Sequence, residues 1–416
     1  MTRRLRLLCR VVDNFGDAGV CWRLARQLAT EHGWHVRLLI DRPELLERLS
    51  PDTPAGTGGP VDVERWPADG PDAADDIASD DIASDDIAGD DILISAFGAE
   101  PPAALRRRLA GAPRRPLWVN LEYLSAEDWV DDCHGLSSLK AIDGAREHFY
   151  YPGFTLRSGG LLRERGLIEH RDRFVGSIEQ QGWLAGLGID RRRPDERLIT
   201  LFCYPDAPVA AWLALLAADA RPSTVLVPES VADAALRDFA GAPCPPGSVH
   251  VRGALRVRRM HFLPQDDYDR LLWSADLNFV RGEDSWIRAH WAGRPFVWQP
   301  YRQDDGAHVR KLEAFLSRLD AGPATDRMMR AWGALHGPSR PTGSSSGSLP
   351  NSSPNSTGPA ARPAEVSLGA AALAQAWHDF DAQQTAIAPR FRAWSQQLAG
   401  QADLATKLAA FCAERL

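Results

Sequence analysis

The 416-residue chain lacks any apolar run of the ~18 residues that a membrane-crossing helix needs. It also lacks a C-x-x-C pair. Its cysteines, at positions 9, 21, 133, 203, 244 and 412, stand far apart and share no metal-type spacing with histidines. A zinc ribbon, a dithiol redox motif and a disulfide framework are therefore disfavoured, and most of these cysteines are expected to be small buried residues in a reducing compartment. The G-x-G-x-x-G dinucleotide fingerprint is missing. So is an excess of positive charge: the net charge is -7, which disfavours a broad nucleic-acid surface. The N-terminus, MTRRLRLLCRVVDNFGD, begins charged, but its apolar run is short and a charged loop follows without a small-residue cleavage site. It is not read as a secretory signal, and a cytoplasmic, bacterial-type protein is expected.

What is present is ordinary globular material, 44% hydrophobic and 25% charged. At about 150 residues per domain the length suggests two or three domains. Leu5–Val12 reads as a buried strand, Ala18–His32 as a helix and His35–Ile40 as a strand, which opens a βαβ series. Further strands are expected at Ile92–Ser95 and Pro116–Asn120, and a loop at His148–Phe154 (HFYYPGF) before the glycine pair 159–160. The alternation restarts near Gly176. Strands are expected at Arg197–Tyr204, Ser223–Pro228, Val249–Arg252, Arg259–Leu263, Asp276–Val280 and Pro295–Trp298, with helices at Val209–Asp219, Asp266–Ser274 and Asp284–Ala292. Asp75–Ser95 contains a repeated DDIAS unit, read as a slipped duplication in a surface loop. Gly337–Glu365 is rich in Ser, Pro and Gly and reads as a disordered insertion. Helical sequence resumes at Leu368, with a break expected near Pro389. The expected fold is α/β, with an N-terminal Rossmann-like domain over 1–175, a second over 176–335, the insertion at 336–366 and a helical segment over 367–416 packing back towards the first domain. Ligands of such sheets bind outside the carboxyl ends of the strands.

Three stretches can carry chemistry there. In VDNFGDAGV, Asp13 and Asp17 follow the first strand where α/β proteins usually cradle phosphate. Two carboxylates repel an anion and attract a cation, so the pair suits a cationic substrate or a general base. Capping of the turn and the helix is the alternative. In FVRGEDSWIRAHW, the turn at Arg281-Gly282 leads into Glu283, Asp284 and Ser285 at a helix start. Free N–H groups, Ser285 and Arg281 could hold a diphosphate and Glu283 ribose hydroxyls; a simple helix cap is again the alternative. In HFLPQDDYD, Phe262 and Gln265 end a strand, where an aromatic ring can stack on a base and an amide can read its edge; a core position is the alternative for Phe262, as it is for Phe202 and Tyr204. Phe202 and Tyr204 in LFCYPD are similarly placed, and Tyr301 lies in a further loop, QPYRQDDGAH, at the same sheet edge.

Together DNFGDAG, YPGF with its glycine pair, LFCYPD, FLPQDDYD, LLWSADLNFVRGEDS and WAGRPFVWQPY closely resemble the elongation factor P arginine rhamnosyltransferases (EarP). The resemblance runs in order along nearly the whole chain and fails only at the acidic repeat and the Ser/Pro-rich insertion. It implies a GT-B glycosyltransferase, α/β with two Rossmann-like domains facing a cleft, and inverting, metal-independent transfer of L-rhamnose from TDP-β-L-rhamnose to an arginine of elongation factor P. It implies Asp17 as general base supported by Asp13, Phe202 and Tyr204 near the donor, and Phe262 and Gln265 at the base. It also implies Arg281, Glu283, Asp284, Ser285 and Tyr301 on the nucleotide-diphosphate side. No cofactor beyond the donor, no metal, no nucleic acid and no membrane are expected. The alternatives are a GT-B transferase with another nucleotide sugar and acceptor, or a non-catalytic adaptor that binds a translation factor.

Overall fold

The computed structural model describes residues 2–13, 15–51, 59, 61–66, 89–112, 114–140, 144–189, 192–333 and 363–416. Most of the acidic repeat and nearly all of the Ser/Pro-rich insertion lie outside the described residues. The strands are β1 (Arg4–Cys9), β2 (His35–Ile40), β3 (Val61–Arg65), β4 (Ile92–Ala96), β5 (Leu117–Leu121), β6 (Ser137–Leu139), β7 (Arg146–Tyr150), β8 (Arg197–Leu201), β9 (Ser223–Pro228), β10 (Val249–Arg252), β11 (Leu255–Met260), β12 (Leu277–Arg281) and β13 (Phe296–Gln299). Among the described residues they form a seven-stranded sheet, β3-β2-β1-β4-β5-β7-β6, and a six-stranded sheet, β10-β11-β9-β8-β12-β13. Each is parallel except for one edge hairpin strand, β6 against β7 and β10 against β11.

Central strands carry apolar residues on both faces because helices cover both sides of a parallel sheet. Leu5, Leu7, Leu8 and Cys9 in β1 are each fully buried. In the second domain, Trp212, Phe279, Trp332 and Trp377 interlock edge to face, with centroids 4.4–5.7 Å apart. They fasten helices Val209–Ala218, Pro323–Gly333 and Pro363–Ala382 to the second sheet. The last helix, Leu404–Ala413, instead docks on the first domain, where Leu404 N–H donates to Leu161 O at 2.9 Å and Phe411 packs on Tyr150 at 5.3 Å. The glycine pair lies under this contact. A Cβ at Gly159 would fall 2.4 Å from the Tyr150 ring, whose hydroxyl donates to Gly159 O at 3.0 Å.

Several expected boundaries shift. The first strand stops at Cys9, and Val12 beyond it is 69% exposed. His148–Tyr150, expected in a loop, belong to β7, because they continue its parallel ladder against Val119–Leu121 of β5. The strand expected at Arg259–Leu263 is Leu255–Met260, which frees Phe262 from the ladder. The helical break falls at Gln383, while Pro389 lies inside helix Gln384–Ala399, in its second turn. Strands β3 and β6 are short, polar edge strands that alternation did not reveal. Among the described residues no helix is long and apolar enough to cross a membrane, all six cysteines are free, and four of them, Cys9, Cys21, Cys203 and Cys412, are buried. The carboxyl ends of β1 in one sheet and of β8, β11 and β12 in the other lead to one shared cleft.

Candidate functional site

Asp13 lies just past β1, and Asp17 is in the first turn of helix Phe15–His32. The chain reverses between them through Gly16 N–H donating to Asp13 O at 2.7 Å. Asp17 is only 2% exposed, and its Oδ2 accepts the backbone N–H groups of Val12 and Asp13 at 2.7 and 2.8 Å. Asp13 projects the other way, into a pocket that it shares with Phe202, Phe262, Gln265, Arg281 and Ser285. Both carboxyls are raised above their ordinary range, chiefly by burial. The shift is opposed at Asp13 by the Tyr204 hydrogen bond and the positive charge of Arg281, and at Asp17 by hydrogen bonds from the two backbone amides and Tyr123, while the Asp13 charge reinforces it there.

The other wall is the turn after β12. Arg281 spreads over two rings, Phe202 at 4.6 Å and Tyr204 at 4.4 Å, a cation held by aromatic faces. Tyr204 Oη donates to Asp13 Oδ2 at 2.7 Å and so ties the two domains across the cleft. Gly282 adopts φ +58°, and a Cβ there would lie 2.6 Å from Asp13 Oδ2 and 2.9 Å from Tyr204 Oη. Glycine is thus required at this position both by the left-handed turn and by the close approach. Ser285 Oγ accepts from Arg281 N–H at 3.0 Å.

The remaining expected residues are placed less directly. Gln265 is 3% exposed; its Nε2 donates to Gly19 O at 3.1 Å, while its Oε1 has no hydrogen-bond donor among the described residues. Asp284 lines the pocket but faces Arg23, 3.3 Å away. Glu283 does not line it: its Oε2 accepts Leu124 N–H of the first domain at 2.9 Å. Burial, with the charge of Asp17 added and the Leu124 amide and Lys311 opposing, pushes the Glu283 carboxyl up to about 8. Tyr301 is 52% exposed and meets Tyr204 in a T-shaped contact, with centroids 5.5 Å apart.

Sequence reasoning missed two features. Tyr123, just past β5, stacks on Phe97 at 4.3 Å and sets its hydroxyl beside Asp17. Its position at a strand's carboxyl end was a usable signal. The second is a knot of ions at the domain junction. Arg288 binds Asp269 at 2.5 Å and Glu164 at 2.7 Å, and Arg23 binds Glu164 at 3.0 Å and Asp269 at 3.5 Å. These residues lie far apart in sequence, so no spacing pattern could join them. Among the described residues no group of three His, Cys, Asp or Glu side chains could hold a metal ion.

The profile of the family described as Elongation-Factor P (EF-P) rhamnosyltransferase EarP matches residues 5–413. A protein-arginine rhamnosyltransferase of Pseudomonas aeruginosa is 47% identical over 327 residues, covering 77% of this chain and 82% of that one. One from Neisseria meningitidis serogroup B is 31% identical over 411 residues, covering 97% and 96%. A solved structure that describes the basis of EarP-mediated arginine glycosylation of translation elongation factor EF-P superposes with a TM-score of 0.62, at 30% identity and 99% coverage of both chains. The spinosyn rhamnosyltransferase SpnG, complexed with thymidine diphosphate, reaches 0.50 at 13% identity over 98% of this chain and 99% of that one, a likeness of fold alone. The architecture is that of GT-B glycosyltransferases.

Proposed function

The chain belongs to the EarP family, and on that footing we propose that it moves L-rhamnose from TDP-β-L-rhamnose to an arginine side chain of elongation factor P, with inversion. The observation that carries this reading is Asp13, which lines a pocket with Arg281 and a helix start, and behind it Asp17 and Glu283, three neighbouring carboxyls whose proton affinity is raised chiefly by burial. Such a group gains most from a cation, and a guanidinium meets it with several charge-assisted hydrogen bonds.

An arginine guanidinium is a poor nucleophile, because its pKa exceeds about 12 and its lone pairs are delocalised. Carboxylates on either side can localise the electrons on one nitrogen. Asp17, oriented by two backbone amides on its Oδ2, takes the proton as that nitrogen attacks the anomeric carbon of rhamnose. The bond from that carbon to the diphosphate oxygen breaks, and its electron pair leaves with TDP. Arg281 and the N–H groups opening helix Asp284–Ala292 can receive the growing charge, and the Ser285 hydroxyl, which donates to Arg281 O at 2.5 Å, can join them once it turns. One displacement inverts the anomeric centre and needs no covalent nucleophile. The unpartnered Gln265 Oε1 suits the N3–H donor of a thymine or uracil ring stacked on Phe262.

The test is to incubate the protein with TDP-β-L-rhamnose and unmodified elongation factor P and to weigh the intact factor, with Asp17→Asn in parallel. One deoxyhexose, mapped to an arginine and lost at least ~100-fold in the variant, is expected. A protein that binds TDP but adds no mass to the factor would reject the acceptor. Transfer that survives Asp17→Asn would reject the base.

A further inference from the structure

In the same pocket, an arginine from the first domain covers the aromatic ring offered by the second. Arg48, in helix Glu44–Leu49, sets its guanidinium 4.3 Å from the Phe262 centroid and 5.5 Å from that of Phe15. The two rings meet at 4.8 Å with a 41° tilt. Arg48 also pairs with Glu229, just past β9. Arg48, Glu229, Phe15 and Phe262 line the same pocket as Arg281 and Ser285.

The loop that offers Glu229 is built for this. Ser230 and Ala232 adopt left-handed φ of 64° and 54°, conformations that L residues keep only where their surroundings hold them. Arg259 supplies that hold: it is 4% exposed, donates to Val231 O at 2.5 Å and pairs with Asp233. Arg48, by contrast, is 46% exposed in its side chain and free to swing aside. A planar guanidinium stacks on a flat base as it stacks on a phenyl ring.

We propose that Arg48 is a donor-site residue: the nucleotide base inserts between Phe262 and the Arg48 guanidinium, and Glu229 keeps that guanidinium in place as the second face of the stack. The proposal rests on the reading of this pocket as the nucleotide-sugar site. It adds that the domain bearing the acceptor carboxylates also grips the base, so tight donor binding requires the two domains to be apposed.

The experiment is calorimetric titration of TDP, UDP and ADP into the wild-type protein, Arg48→Ala, Arg48→Lys and Glu229→Gln, with donor KM and kcat for each. Arg48→Ala is expected to raise the Kd of the best-bound nucleotide and the donor KM about 3- to 10-fold with kcat unchanged, Arg48→Lys to recover part of that, and Glu229→Gln to raise it less. TDP binding indifferent to Arg48→Ala, or tightened by it, overturns the proposal and leaves the donor reading intact. Preference for UDP or ADP, with the same loss in Arg48→Ala, keeps Arg48 and rejects TDP. No nucleotide bound by the wild-type protein rejects both.

Discussion

Two groups of buried charges sit at the same domain junction and are built in opposite ways. In the knot, Arg23 and Arg288 alternate with Glu164 and Asp269, each guanidinium touching both of these carboxylates. Burial opposes charge there, yet the two arginines pull Glu164 well below its usual range, and Asp269 and Glu164 push Arg288 up. In the cleft, Asp13, Asp17 and Glu283 crowd together with Arg281 and Lys311 only at the margins, and burial wins at every carboxyl. Asp284 joins the two: it touches Arg23 but lines the pocket, and its carboxyl is raised like those of the cleft. A buried ion group that is already paired serves the fold. One whose carboxyls are raised by burial and short of cations is a site that gains from taking one.

The sharpest way to break this contrast is Arg288→Met. It strands two buried carboxylates beside Arg23 alone, and removing one partner of a buried pair costs about 3–5 kcal/mol. Urea unfolding should show that loss, with catalysis per folded molecule largely kept. A cost below ~1 kcal/mol would show that the knot is not what fastens the domains. The next effect, Glu283→Gln, should work in the opposite direction. The Glu283 carboxyl moves from its ordinary 4.5 to about 8, so the folded state holds the proton more tightly than the unfolded chain does. Its contribution is complete below about pH 4.5 and is lost as pH rises through about 8. Wild type should therefore lose stability relative to Glu283→Gln across that window, by on the order of a few kcal/mol. Thermal melts that stay parallel from pH 5 to pH 9 would contradict the shift.

The same contrast explains what was legible in the sequence. The strand–helix alternation was legible because central parallel strands such as β1 and β8 are short segments dominated by apolar residues, a local signal. Asp13, Phe202, Phe262, Arg281 and Ser285 were legible as neighbours in one pocket because each follows a strand's carboxyl end, where ligands of such sheets bind, whereas Arg48, on a helix, was not. Edge strands β3 and β6 were not, since a strand with one neighbour and a solvated face carries little apolar signal. The direction of each side chain was not legible either. Nothing in GEDS reveals that Glu283 reaches back to Leu124 while Asp284 turns to Arg23. The knot was out of reach altogether, because its members come from residues 23, 164, 269 and 288 and only the fold joins them.

The smallest expected effect is also the finest probe of the contrast, because it removes one atom. Tyr204→Phe deletes the hydroxyl that donates to Asp13 Oδ2 at 2.7 Å and leaves the ring that carries Arg281 at 4.4 Å. A structural hydrogen bond lost in this way costs about 1 kcal/mol of stability and nothing else. This bond does more, because it lowers a carboxyl that burial has raised. Without it the Asp13 carboxyl rises further, and the ionised form needed to meet a guanidinium appears only at higher pH. The acid limb of the kcat/KM profile should therefore move to higher pH, with a fall of about 3- to 10-fold near neutrality that shrinks as pH rises. A fall that is uniform across pH would place Tyr204 with the knot, as a fastener between domains. A moved acid limb would place it with the cleft, as the group that keeps Asp13 ionised for a cationic acceptor.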